Sequence, residues 1–351
     1  MALSIGIVGL PNVGKSTLFK AITKKQVDCE NYPFCTIEPN VGMVAVPDER
    51  VDRLSDLTKS AKKLYATIEF LDIAGLVEGA HKGEGLGNQF LSHIREVDAI
   101  VYVLHVFENK NIVKTSELDP ARDKEILDTE LVLKDLETVD KRVAKLEKES
   151  KSGASQESAK ELNIFGRVKK YLEDGEILSE KEWADDELEI LKSSQFLTMK
   201  PRIYLLNGSK EEADKYLDKF GDSALFFDVV AEAEGAGLSR EERKELEMPE
   251  DSQLDKLIQK SYELLDLISF LTTGPDETRA WQIKRGSKAP QAAGVIHTDF
   301  EKRFIRAEAI NWKDLLDAGG YPQAREKGLL RVEGKDYTVQ DGDVLDIRHD
   351  A

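Results

Sequence analysis

Gly9-Leu10-Pro11-Asn12-Val13-Gly14-Lys15-Ser16 fills the pattern G-x-x-x-x-G-K-[ST], whose chemistry is the cradling of a polyphosphate. Its glycines let successive backbone N–H groups turn toward one anion, and its lysine brings a positive charge to the β- and γ-phosphates. Asn12, Val13, Gly14, Lys15, Ser16 and Thr17 are therefore the expected nucleotide contacts. The Ser16 hydroxyl is the expected ligand of Mg²⁺. A second motif follows at the expected distance. Asp72-Ile73-Ala74-Gly75 closes the strand-like run Thr67–Leu71, and a carboxylate there holds Mg²⁺ while the Gly75 N–H senses the γ-phosphate. Between the two motifs, Thr36 is placed to complete the Mg²⁺ shell when a γ-phosphate is present.

Hydrolysis and base choice are written less plainly. Gly75, Gly79, Gly83, Gly85 and Gly87 crowd one stretch, which reads as a second switch that orders around the γ-phosphate. Ras-like enzymes place a water-orienting Gln after that first glycine, and here Leu76 can neither donate nor accept a hydrogen bond. Slow intrinsic turnover is the expectation. For the base, the run Pro201–Leu206 reads as a strand and Asn207-Gly208-Ser209-Lys210 follows it. Guanine-specific proteins of this class end such a turn in Asp, which accepts from N1–H and N2–H₂. Lys210 only donates. Asn207 can still meet the N7 edge of a purine, so Asn207 and Gly208 are candidate base contacts and adenine is expected. Asn109-Lys110 follows another strand-like run but has Ile112 in fourth place, which disqualifies it.

These residues need a frame. Leu3–Val8 reads as a buried strand entering the phosphate loop and Thr17–Ile22 as a helix leaving it, an arrangement that aims the helix dipole at phosphate. Ala99–Leu104 and Arg202–Leu206 read as two further strands, separated by far more chain than an ordinary G domain uses. Ile126, Thr129, Leu133, Leu136, Val139, Val143 and Leu146 recur at 3-4 spacing, the seam of a long amphipathic helix. Leu162, Phe165, Val168 and Leu172 give a second helix, and Leu188, Leu191 and Phe196 a third, so an antiparallel helical arm is expected as an insertion. After Leu225–Val230, Ala231-Glu232-Ala233-Glu234 stands where such proteins close the base pocket.

Composition sets the outer limits. The chain has 351 residues, 40% of them hydrophobic and 33% charged, enough for two or three domains with solvated surfaces. No run of 18 apolar residues exists and no secretion signal opens the chain, so neither a membrane span nor export is expected. Cys29 and Cys35 make neither a disulfide framework nor a metal quartet, which fits a reducing cytoplasm. A net charge of −17 excludes a non-specific nucleic-acid coat. From Arg279 to Ile310 the balance reverses, with seven Lys/Arg against three Asp/Glu. Lys284, Arg285, Lys288, Lys302, Arg303 and Arg306, interleaved with Trp281, Phe300 and Phe304, suit RNA contact.

Long words carry a resemblance to the YchF / Obg-like ATPase family, within the Obg branch of P-loop GTPases. They are G-L-P-N-V-G-K-S-T at 9–17, N-Y-P-F-C-T-I-E-P-N at 31–40, D-I-A-G-L-V-E-G-A-H-K-G-E-G-L-G-N at 72–88, A-A-G-V-I-H-T-D-F-E-K-R-F-I-R-A-E at 292–308 and E-G-K-D-Y-T-V-Q-D-G-D-V at 333–344. The resemblance spans essentially the whole chain. It implies an ATPase that also tolerates GTP, association with the ribosome through ribosomal RNA, and a C-terminal TGS module of β-grasp type. The fold class it implies is α/β: a P-loop NTPase G domain at 1–115 and 200–268, an inserted helical, coiled-coil-like arm at 116–199, and a TGS domain at 269–351. A monomer is expected. Asn12 stands where related enzymes bind K⁺ beside the phosphates, which makes K⁺ a second candidate ion. Two positions depart from the family pattern. Lys210 replaces a family Glu. Lys114 replaces a His proposed to help hydrolysis; it could stabilise phosphate charge but is no neutral base near pH 7. Two other readings remain open: a GTPase that keeps guanine through backbone contacts, and a nucleotide-gated ribosome adaptor with negligible hydrolysis.

Overall fold

The computed structural model describes residues 3–27, 40–73, 88–107, 119–151, 156–236, 238, 240–246, 248–249 and 252–350. Its strands are β1 (Leu3–Val8), β2 (Val41–Ala45), β3 (Lys62–Leu64), β4 (Thr67–Asp72), β5 (Ala99–His105), β6 (Arg202–Asn207), β7 (Ala224–Phe227), β8 (Leu267–Thr273), β9 (Glu277–Lys284), β10 (Phe304–Asn311), β11 (Arg331–Glu333) and β12 (Asp343–His349). Its helices are α1 (Lys15–Lys24), α2 (Glu49–Thr58), α3 (Asn88–Glu96), α4 (Pro120–Lys151), α5 (Gln156–Glu173), α6 (Asp185–Lys192), α7 (Lys210–Phe220), α8 (Val229–Gly235), α9 (Arg240–Glu245), α10 (Gln253–Leu264), α11 (Ala289–Ile296), α12 (Thr298–Lys302), α13 (Trp312–Ala318) and α14 (Tyr321–Glu326).

The first sheet has the order β2-β4-β1-β5-β6-β7. All its neighbours are parallel except β2 and β4. Strands β1, β5 and β6 are nearly unbroken apolar runs because helices cover both of their faces. Ile5, Ile7, Val101, Val103, Ile203 and Leu205 pack toward α1 and α10, while Tyr102, Leu104, Tyr204 and Leu206 pack toward α3 and the root of α4. β1 lies between β4 and β5, so the loop leaving its carboxyl end opens at the point where ligands of such sheets bind.

The arm is present, but its seam runs differently from the expected one. Ile126 and Leu133 are 42% and 54% exposed, while Leu127 and Leu131 are buried against the first sheet. Only farther out do Val132, Val139 and Leu146 meet Phe165, Val168 and Leu172 of α5. One helix therefore serves two partners in turn, and its buried stripe rotates between them.

The second sheet has the order β11-β10-β12-β8-β9-β3. Two features cut across the expected domain limits. A boundary at 269 falls inside β8. More consequentially, β3 lies within the stretch assigned to the G domain yet pairs in parallel with β9, Lys62 opposite Glu277 and Leu64 opposite Arg279. Helix α2, capped by Asp48 and burying Val51 and Leu54, delivers β3 to that edge. Behind it, Val51, Leu54, Leu257, Leu271, Ile310, Leu315 and Val344 belong to one continuous core with Ile5 and Leu18.

Candidate functional site

The phosphate loop is held open by backbone geometry that few residues tolerate. Asn12 has φ 63° and Gly14 has φ 104°, both in the left-handed region. A side chain at Gly14 would also collide with the Asn207 amide, 2.6 Å from an added Cβ. Gly9 is pressed on β5: an added Cβ would stand 2.6 Å from the Val103 carbonyl oxygen. Val13, 2% exposed, plugs the loop into the core. The Gly14 carbonyl accepts from the Thr17 and Leu18 N–H groups, which starts α1 and leaves its free N–H groups at the loop. Thr17 is half-buried at that first turn, and Asn12 and Ser16 are exposed at the mouth.

Lys15 and Asp72 face one another across this mouth. The Lys15 ammonium donates to the Leu10 carbonyl oxygen at 2.6 Å. Burial lowers its pKa to about 8, and the Asp72 carboxylate pulls in the opposite direction. Asp72 ends β4 directly beside Ile7 of β1 and is only 5% exposed. Its own N–H donates to the Asn40 carbonyl oxygen at 3.0 Å, which joins the Mg²⁺-side strand to the first described residue after the Thr36 segment. A buried carboxylate, an exposed hydroxyl on Ser16 and a desolvated ammonium make a hard-oxygen donor set with a neighbouring cation. That set fits Mg²⁺ bound through few protein ligands and shared with phosphate oxygens.

Asn207 does more than the sequence indicated. Its Nδ2 donates to the Val13 carbonyl oxygen at 2.8 Å, and its Oδ1 accepts from the Val229 N–H at 3.1 Å. The side chain is thus a brace between the phosphate loop and the first turn of α8, and these two bonds leave one amide hydrogen unused. Gly208 sits against Val106 and the Phe107 N–H, with no room for a Cβ. Ser209 caps α7 in a reciprocal capping box with Glu212, and Lys210 is exposed at the first helical position. In the stretch 231–234 one side chain has a structural task. Glu232 is turned inward, 2% exposed, ion-paired with Arg243 at 2.6 Å and accepting from Ser252 and the Gln253 N–H. It anchors the start of α10. No sequence signal marked the brace or this clamp, because both depend on partners far along the chain.

Thr36, Gly75, Leu76 and Lys114 lie outside the described residues. The basic stretch divides in two. Antiparallel pairing of β9 with β8, and of β10 with β12, sets Lys284–Lys288 and Lys302–Arg306 at opposite ends of the second sheet. At the first end Arg285 is paired with Asp266, Lys288 with Asp336, and Lys284 donates to the Leu265 carbonyl oxygen. At the second, Lys302, Arg303 and Arg306 are exposed with no ion pair among the described residues. Arg306 stands opposite Arg348, and Phe300 stacks on His349 at 4.0 Å. Phe304, 3% exposed, is a core residue, and Trp281 is half-buried between Phe270, on which it stacks, and the Arg279 guanidinium 3.9 Å from its ring centre. Among the described residues no helix is long and apolar enough to cross a membrane.

Comparison with known proteins agrees with this geometry. Residues 4–151 match the family model of the 50S ribosome-binding GTPases. Residues 267–350 match that of the YchF-type GTPase C-terminal domain, described as a protein of unknown function. The chain is 46% identical to the ribosome-binding ATPase YchF of Bacillus subtilis (strain 168) across 99% of both chains. It is 44% identical to Obg-like ATPase 1 of Oryza sativa subsp. japonica, covering 98% of this chain and 91% of the relative. The solved structure of the Schizosaccharomyces pombe YchF GTPase superposes with a TM-score of 0.89 at 40% identity, covering 99% of this chain and 97% of that one.

Proposed function

Because the chain belongs to the YchF family of Obg-like P-loop nucleoside triphosphatases, we propose that it binds Mg·ATP between Asn12–Thr17 and Asn207 and hydrolyses it slowly in association with the ribosome. The observation that carries the reading is Lys15: a lysine desolvated until its pKa nears 8 is costly unless an anion arrives to stabilise its charge. The residues then divide the work. The backbone of 12–16 and the Lys15 ammonium hold the phosphates, Asp72 and Ser16 hold Mg²⁺, and Asn207 keeps the loop in register with the base turn. Mg²⁺, when bound, neutralises charge developing on the β- and γ-oxygens. Thr36 and Gly75 are the proposed switch contacts and Lys114 a charge-stabilising group. Asn12 is the proposed neighbour of a K⁺ ion.

Adenine is favoured because Lys210 offers guanine no acceptor where two donors need one. GTP binds comparably or more weakly. The C-terminal module meets ribosomal RNA, and we assign that contact to the Lys302–Arg306 end of the sheet, where Lys302, Arg303 and Arg306 have no ion pair among the described residues while Arg285 and Lys288 at the other end are paired. The protein works as a cytoplasmic monomer.

Single-turnover hydrolysis of labelled ATP, with and without ribosomes, tests this function. The expected result is a slow basal rate that ribosomes raise and that Lys15→Ala abolishes together with ATP binding. ATP binding with no hydrolysis under either condition would make the protein a nucleotide-gated adaptor instead.

A further inference from the structure

His105 is the last residue of β5, paired in register with Asn207 on β6. Its Nδ1 stands 2.9 Å from Oδ2 of Asp123, in the first turn of α4, the long helix of the arm. Both atoms are screened from solvent, and they meet at ion-pair distance without the alignment of a hydrogen bond to each other or to any other described group. The Phe107 ring stands edge-on to the imidazole at 6.0 Å and limits its rotation.

The pair sits at an informative place. One residue on, the Val106 N–H donates to the Asn207 carbonyl oxygen at 2.8 Å, and Asn207 in turn grips the Val13 carbonyl oxygen. Three links therefore lead from the arm to the phosphate loop: Asp123 to His105, the end of β5 to Asn207, and Asn207 to Val13. The arm's other buried ties are placed differently. Asp128 meets Arg202 and Tyr102, and Asp135 accepts from Leu197 and Thr198. Arg202 begins β6, and 197–198 precede it, so these ties hold the arm at the end of the sheet away from the nucleotide. Among the arm's polar ties between described residues, Asp123–His105 is the one placed at the carboxyl end of β5, beside the apolar packing of Leu127 and Leu131 on Leu104 and Val106.

We propose that His105 and Asp123 form a positioning pair that couples the arm to the nucleotide cradle, holding the 105–107 and 207–208 turns where Asn207 can brace the phosphate loop. The pair touches no substrate. It acts through Asn207, and so it sets how well the site is preorganised for ATP and leaves the chemical step alone. The inference rests on the reading of 9–17 and 207 as that cradle.

Steady-state ATPase kinetics and thermal melting of full-length His105→Ala, Asp123→Asn, His105→Gln and His105→Arg proteins test it. His105→Ala and Asp123→Asn are expected to raise KM for ATP about three- to tenfold with kcat within about twofold of wild type. His105→Arg, whose guanidinium again sets N–H donors against the same carboxylate, is expected to recover the wild-type KM. His105→Gln, a neutral donor of similar reach, keeps the test open if the Ala variant folds poorly, and its KM should fall between. A lowered melting temperature with KM unchanged in the variants that fold would reduce the pair to a structural tie and overturn the proposal. Absence of ATP binding by the wild type would overturn the cradle itself, a result separate from any difference among the variants.

Discussion

At the scale of single residues, Lys15 concentrates both the cost and the function of the site. Its folded pKa is about 8, against an ordinary lysine value of about 10.4. At pH 7 the ammonium is charged in both states, and its burial opposes folding. As pH rises through 8 toward about 10.4 the folded lysine releases a proton that the unfolded chain still holds, and that penalty is relieved. Lys15→Met removes the buried charge, so the ligand-free variant should be more stable at pH 7 by about 1–3 kcal/mol while losing ATP binding. Thermal melts without nucleotide check the first half, and an unchanged or lowered melting temperature would contradict it. In the wild type, ATP needs the charged form, so its affinity should decline above pH 8 toward about tenfold per pH unit. Titrations between pH 7 and 9.5 would reveal that slope. The phosphate loop, Ser16 and Asp72 were legible from spacing because the chemistry fixes both residue type and interval. Asn207's bracing role was not, since Val13 and Val229 are brought to it only by the fold.

At the scale of elements, the sequence conveys most where one element has one partner. Strands β1, β5 and β6 read as strands, the first as a buried one, and all three are buried with both faces covered. Helix α4 meets the first sheet and then α5, and a single 3-4 seam cannot describe both; Ile126 and Leu133 were drawn into the seam and are exposed. Strand β3, Lys62-Lys63-Leu64, carries too little pattern to read at all. Yet α2 and β3 are the wedge that binds the second sheet to the first. Arg50 contacts Asp48 at 2.7 Å and Asp341 at 2.9 Å, Arg53 lies over the Trp312 ring, and hydroxyls of Thr58, Ser60, Thr273 and Thr278 form a bonded chain. Arg50→Ala leaves Asp48 and Asp341 without their cation and should destabilise the wedge by about 1–3 kcal/mol. Hydrogen exchange should then accelerate in α2, β3 and β9 ahead of β1 and β5. Uniform acceleration, or none, would mean that the wedge is not a separate unit.

At the scale of the whole molecule, an acidic protein with net charge −17 approaches an RNA-rich particle only through a local exception. The basic stretch was visible in composition, but its division between two ends of a sheet was not, because antiparallel pairing separates neighbours in sequence. Charge reversal at Lys302, Arg303 and Arg306 should weaken ribosome co-sedimentation and flatten its salt dependence, as fewer counterions are released. Reversal at Lys284, Arg285 and Lys288 should do less, and equal loss from both sets would contradict the assignment to one end.

The central claim is that this loop and this base turn select Mg·ATP. Displacement of labelled ATP from the purified protein by unlabelled ATP or GTP, repeated on Lys210→Asp, tests it most directly. Saturable binding at one site is expected, with ATP displacing at least as well as GTP and a shift toward GTP of about 1–3 kcal/mol in the variant, where guanine regains its acceptor. GTP displacing more strongly from the wild type, together with an unmoved ratio in Lys210→Asp, would show that residues 207–210 do not choose the base.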